Sequence, residues 1–358
     1  MPASLSAALL IAAMTVPADS RDTTDPSSSE DAQPTIAGPS EAPDLPEPLT
    51  SFGAARLDGA IYLYGGHTGD AHDYDNTTQA NTLYRLAEGG SQWERVATGQ
   101  RLQGNALVAV PGADGGPDAD GGPDADGGLV VRLGGFTARN APSEDENLHS
   151  LAAVVGYTAG GTERTLPDLP EPRSSFDAAA DGSTIYVVGG WALKGSDLET
   201  DETTTDWHQT AWSLDLSADT PVWQPLPQPP FQRRALATVI HNGTLYALGG
   251  MHPETGPSNR VDTFDLQSQA WGRGPDLPGP PMAGFGTAAA VIDGSLHATA
   301  MDGTVLRLDG DAWTPIGRLA RPRYFHRLVP DGDRSALLIG GTNMQDGKSV
   351  AVDRLMLP

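Results

Sequence analysis

Short apolar runs broken by turns recur along this chain, and five of them end in a glycine pair. They are Ile61-Tyr62-Leu63-Tyr64-Gly65-Gly66, Val130-Val131-Arg132-Leu133-Gly134-Gly135, Ile185-Tyr186-Val187-Val188-Gly189-Gly190, Leu245-Tyr246-Ala247-Leu248-Gly249-Gly250 and Leu337-Leu338-Ile339-Gly340-Gly341. Runs of this length, rich in β-branched and aromatic residues and stopped by glycine, predict strands. Each sits in a longer pattern. An apolar strand and a turn come before it. A polar segment of variable length and a third strand, such as Thr82-Leu83-Tyr84 or Thr263-Phe264-Asp265, come after it. A fourth strand then carries Trp93, Trp223, Trp271 or Trp313 and leaves through proline, as in Asp168-Leu169-Pro170-Glu171-Pro172, Pro225-Leu226-Pro227 and Asp276-Leu277-Pro278-Gly279-Pro280. Four short strands cannot bury their own faces, so the units must pack on one another.

The spacing counts the units. Glycine pairs begin at 65, 134, 189, 249 and 340, and the last gap is too long for one repeat. Within it Ser295-Leu296-His297-Ala298-Thr299-Ala300-Met301 aligns with Thr244 to Gly250, and Trp313 follows in place, which makes six units. The last unit ends near Leu355-Met356-Leu357 without a Trp strand, whereas Asp44-Leu45-Pro46-Glu47-Pro48 repeats the 168–172 exit at the front of the chain. Residues about 33–43 are therefore expected to supply the outer strand of the last unit, which removes a free edge.

An apolar strand into Gly-Gly, an aromatic further on, then a Trp: this pattern resembles the kelch repeat over most of residues 45–358. The resemblance implies an all-β fold, a six-bladed β-propeller with one four-stranded blade per repeat, closed by the N-terminal strand. The propeller is expected over 41–358. Its blades are expected at about 49–100, 101–172, 173–230, 231–281, 282–320 and 321–358, the last completed by about 33–48. The second strand is expected near the crowded axis, its glycines allowing positive φ and close backbone approach.

Composition narrows the partners. Lys and Arg number 22 against 46 Asp and Glu, a formal charge of −24, so the chain lacks the positive field of a phosphate-backbone binder and nucleic acid is not expected. No run is long enough to span a membrane. There is no cysteine, which removes disulfides, thiolate catalysis and cysteine-ligated zinc. It also removes the Cys–Tyr cofactor of the galactose-oxidase-like enzymes that share the kelch propeller. Leu5 to Val16 is a small apolar stretch followed by Val16-Pro17-Ala18, so residues 1–18 read as a signal peptide, although no Lys or Arg precedes Arg21. A disordered acidic leader is expected at 19–40, and the protein is expected outside the cytoplasm as a monomer. Between Gly112 and Gly128 a Gly-Gly-Pro-Asp-Ala-Asp tandem lacks the alternating ligands and closing glutamate of a calcium loop, and it reads as an expansion in a hairpin tip.

Candidate chemistry lies in the long segments after the glycine pairs and at the blade starts, which the propeller resemblance places on one face. From the first segments come His67, His72, Tyr74 and Arg139; from the later ones Trp191, Trp207, His208 and His252. At the blade starts stand Arg173, Arg233 and Arg323, with Tyr324 beside the last. Two readings of these arginines stay open. They line a cationic mouth suited to carboxylate or sulfate, or they pair with local carboxylates and cap backbone carbonyls between blades. No metal or cofactor is expected, because the His67 to Asp75 cluster has no ligand spacing. The expected function is an exported binding module for a protein or glycan. The alternative, from resemblance to the bacterial sialic acid epimerase group, is a sugar-active enzyme with an arginine clamp and an acid/base residue near the axis; no catalytic residue can be carried over.

Overall fold

The computed structural model describes residues 33–112, 127–197 and 202–358. The expected signal peptide, the leader up to residue 32 and most of the Asp-rich tandem lie outside them. Nearly all regular structure is β, with one short 3-10 helix at Pro281–Gly284. No helix among the described residues is long and apolar enough to cross a membrane.

The strands fall into antiparallel groups in the expected order. The first group is Gly53–Leu57, Ala60–Tyr64, Thr82–Leu86 and Glu94–Thr98, and the second Ala106–Val110, Leu129–Leu133, Val154–Tyr157 and Glu163–Thr165. The third is Asp177–Asp181, Thr184–Val188, Ala211–Asp215 and Gln224–Pro225, and the fourth Ala237–His241, Thr244–Leu248, Val261–Asp265 and Ala270–Arg273. The stretch without a glycine pair also forms strands: Ala288–Ile292, Ser295–Thr299, Thr304–Asp309 and Ala312–Leu319. Arg327–Pro330, Ser335–Ile339 and Val352–Met356 complete the series. Thr35–Pro39 lies between these last two groups, parallel to Ala312–Leu319 and antiparallel to Val352–Met356, so they join in one eight-stranded order.

Apolar side chains fill the seams between neighbouring groups. Leu133 and Val131 pack with Phe176 and Ile185 between the second and third. Leu49, Phe52 and Leu63 of the first pack with Val329, Leu337 and Ile339 at the other end of the chain. The first strand of each group touches the first strand of the next, and Arg327–Pro330 touches Gly53–Leu57. The innermost strand is thus the first, not the second as expected. The second strand carries a large residue such as Tyr64 or Leu133 into the seam, whereas the first offers alanine and glycine, which tolerate convergence.

Two backbone devices recur. The indole N–H of each repeat tryptophan donates to a proline carbonyl of a preceding exit: Trp93 to Pro43 (3.1 Å), Trp223 to Pro167 (2.9 Å), Trp271 to Pro227 (2.6 Å) and Trp313 to Pro275 (2.8 Å). The second glycine of each pair donates its N–H to a carbonyl of the next group's lead-in segment, as Gly135 does to Arg173 (2.9 Å); Gly341 donates to Leu49 (3.0 Å). Glycine is required where this contact is closest. At Gly249 φ is +62° and an added Cβ would lie 2.1 Å from the Gly284 carbonyl oxygen.

Candidate functional site

The face bearing the post-glycine segments is organised by six residues with positive φ, one ahead of each first strand: Ser51, Gly104, Ser175, Ala235, Gly286 and Phe325. Several are hydrogen-bonded to one another, Gly104 N–H to Ser51 O (2.6 Å), Ser175 to Gly104 (2.8 Å), Ala235 to Ser175 (2.7 Å) and Phe325 to Gly286 (2.9 Å). The residue before five of them bridges to the residue after a glycine pair, giving Thr50–His67, Gln103–Phe136, Ser174–Trp191, Arg234–Met251 and Tyr324–Thr342. These pairs rim a mouth. Beneath it a small cavity of about 90 Å³ is lined by alanines of the first strands and flanked by the Arg327–Asp177 ion pair at 3.1 Å.

The arginines expected at the mouth divide sharply. Arg173, Arg233 and Arg323 stand two residues before the positive-φ turn and point inward, almost wholly buried. Each caps the carbonyl of the first glycine of its own group: Arg173 to Gly189 (2.6 Å), Arg233 to Gly249 (2.8 Å) and Arg323 to Gly340 (3.1 Å). Each also has an acid partner, Glu171 at 3.0 Å, Asp262 at 2.7 Å and Asp353 respectively. Burial pulls Arg173 and Arg233 down to about 10, against the opposing pull of those carboxylates. These guanidiniums serve the backbone, and the cationic-mouth reading fails for them.

Two histidine candidates are also held inside the fold. His208 is buried, its ring against the Pro172 carbonyl (3.0 Å) and Glu171 (3.7 Å). His67 is buried with Nε2 on the Asp73 carbonyl (2.8 Å) and its ring 4.9 Å from Tyr74. His72 is exposed at positive φ, and Arg139 is exposed with its backbone N–H on Asn147. His252 is half-buried and accepts the Glu254 N–H at 3.2 Å. No group of three or more His, Asp or Glu side chains suited to a metal occurs among the described residues.

Two segments expected as long loops form a sheet of their own. Phe136–Ala138, Leu148–Ser150, Trp191–Asp197 and Glu202–Trp207 pair antiparallel, in the order of the last two reversed, then Leu148–Ser150, then Phe136–Ala138. Phe136, Ala138, Leu148 and Leu193 bury a small core under it, with Tyr74 and Trp191 packed alongside. This sheet walls one side of the mouth.

At its foot sits Arg234, the residue after Arg233. Its guanidinium lies 4.2 Å from the Trp191 ring centroid and 5.7 Å from that of Trp207, and the two indoles meet edge-on at 5.3 Å. Nη2 donates to Met251 Sδ at 3.2 Å, while Nε, like Trp191 Nε1, is buried without a hydrogen-bond partner. Among the described residues no carboxylate forms an ion pair with it. Burial lowers it to about 10, Tyr74 pulling the other way. A cation stacked on indole and lacking a counter-ion can offer charge-assisted hydrogen bonds to an incoming anion.

The buried histidines set a pH dependence. Burial lowers His67 and His208 to about 4 and His326 to about 3. Unfolding releases them to near 6.5, so between about pH 6.5 and 4 the unfolded chain binds more protons and stability falls with acidification. Urea midpoints at pH 7.5 and 4.5 should differ accordingly, and His326→Gln should flatten the difference.

Comparison with known proteins agrees with this architecture. A Kelch motif family model matches residues 232–278. Kelch-like protein 35 of Mus musculus is 27% identical over 261 residues, 71% of this chain and 35% of the relative. Kelch repeat and BTB domain-containing protein 13 of Homo sapiens is 31% identical over 203 residues, 54% of this chain and 41% of the relative. The chain thus spans well under half the length of these curated relatives. A solved structure titled "Structure of YjhT" superposes with a TM-score of 0.66 at 14% identity, covering 87% of this chain and 96% of that one. The fold is that of a kelch-type propeller. The chain carries a kelch motif and is similar to kelch-repeat proteins.

Proposed function

We propose that this chain is an exported, monomeric, six-bladed kelch propeller, closed by Thr35–Pro39, that acts as a binding module for a protein or glycan through its post-glycine face. The two-sided pairing of Thr35–Pro39 supports the closure, and the apolar stretch ending at Val16-Pro17-Ala18 supports export. One observation carries the binding reading: Arg234 is stacked on Trp191 at the mouth with no carboxylate paired to it among the described residues. The group it suits is a carboxylate, approached over the indole edges of Trp191 and Trp207.

Calorimetric titration with acidic peptides and sugar acids tests this. Any carboxylate ligand should bind Arg234→Ala about 10–100-fold more weakly, as expected for losing a charged hydrogen bond, while the variant melts as the parent does. Equal binding by parent and variant would move the site elsewhere. Acceleration of sugar-acid anomer exchange by the parent, lost in Arg234→Ala, would turn the module into an enzyme.

A further inference from the structure

The chain has seven methionines. Five fall among the described residues, and four of these, Met251, Met282, Met301 and Met344, lie in segments linked by contacts to Arg234. Their contacts form a continuous arc. Arg234 bridges to Met251. Gly250 N–H binds Gly284 O (2.8 Å), which brings in the turn carrying Met282 and Phe285, and Met301 N–H binds Ala283 O (3.1 Å). Phe285 lies 6.2 Å from Tyr324 and 5.0 Å from Phe325, centroid to centroid. Tyr324 then donates its hydroxyl to Met344 Sδ at 3.1 Å. Met282 is 45% and Met344 68% exposed.

Unbranched thioethers exposed beside aromatic faces repack readily around apolar side chains of differing shape, and apolar surface gathered in one patch marks an interaction site. They offer little to sugar hydroxyls, which need polar partners. Charge selects further. In a protein of net charge −24, the arc begins at a cation with no described ion-pair partner. We propose that this arc is a docking surface for a peptide segment of a partner protein that presents apolar side chains beside one carboxylate, the carboxylate on Arg234 and the apolar groups on Met282, Tyr324 and Met344. The proposal rests on the binding reading above and narrows its ligand from protein or glycan to protein.

A random dodecapeptide phage library panned on the folded protein is the test. Selected peptides should carry Asp, Glu or a free C-terminus next to Leu, Ile, Met or aromatic residues. The double variant Met282→Glu/Met344→Glu should bind them at least about 30-fold more weakly, and Arg234→Ala about 10–100-fold. Bound peptide should shift the ¹³C-methyl resonances of Met282 and Met344 and leave that of Met356, 53% exposed outside the arc, unmoved. Failure to select any peptide overturns the proposal, as do peptides indifferent to the methionine changes or a sugar acid that binds through Arg234 alone; the last would leave the Arg234 reading intact. Peptides that need the methionines but not Arg234 would overturn the carboxylate anchor.

Discussion

Replacing Asp262 with alanine should cost the fold about 3–5 kcal/mol, the range for removing one partner of a buried ion pair. Asp262 is fully buried and accepts from Arg233 at 2.7 Å and from Arg260 at 2.5 Å. The Arg233 guanidinium cannot move to water, because Nη1 is held by the carbonyls of Gly249 and Arg260 and Nη2 also by that of Ala247. Loss of the carboxylate leaves a cation in a seam already poor in solvation. Urea unfolding measures the cost. The paired change Arg233→Met/Asp262→Leu should be less damaging than Asp262→Ala alone, because an apolar pair leaves no orphan charge. Arg234→Ala, one residue along, should stay within about 1 kcal/mol of the parent, since its guanidinium serves no buried acid. If Asp262→Ala is as mild as Arg234→Ala, the clamp is not structural.

Deleting residues 33–40 should destabilise the fold by a similar amount. Thr35–Pro39 is hydrogen-bonded on both sides, and Ala37 and Ile36 fill the seam around Leu319, Leu338 and Leu355. A handful of ladder hydrogen bonds at about 1 kcal/mol each, with the lost apolar burial, puts the cost at about 3–5 kcal/mol. The deletion also bares two strand edges, so the variant should elute partly as aggregates in size-exclusion chromatography. A synthetic peptide of residues 33–40 should raise its melting temperature. A monomeric deletion variant that melts with the parent would show that the strand is dispensable.

Much of this was legible in the residues. The glycine pairs, the tryptophans and the proline exits marked strands and turns, because period, positive φ and chain exit are local properties. Alignment alone located the strand at Ser295–Thr299 without its glycines. Non-local choices were not legible. The expected loops at 136–147 and 191–210 pair into a sheet across two repeats, and nothing short-range in Leu148 or Leu193 announces that partner. Of the two readings open for the arginines at the blade starts, the capping one holds. Arg173, Arg233 and Arg323 occupy the place that Leu49 and Leu102 hold in other repeats, and both leucines are fully buried. That column is therefore interior, and at the position after it Arg234 and Tyr324 are half-buried.

The strand Thr35–Pro39 also dictates an order of events during synthesis. Its antiparallel partners, Asp353 to Leu355, are made more than 300 residues later. At about 5–20 residues per second that is a wait on the order of 15–60 s. Until Ala312–Leu319 and then these residues are made, Thr35-Ile36-Ala37-Gly38-Pro39 has neither of its strand partners. Pro34 and Pro39 at its two ends lack the N–H that a wrong neighbour would need. The prolines that weaken the segment as a strand thus keep it from being captured before the last repeat arrives.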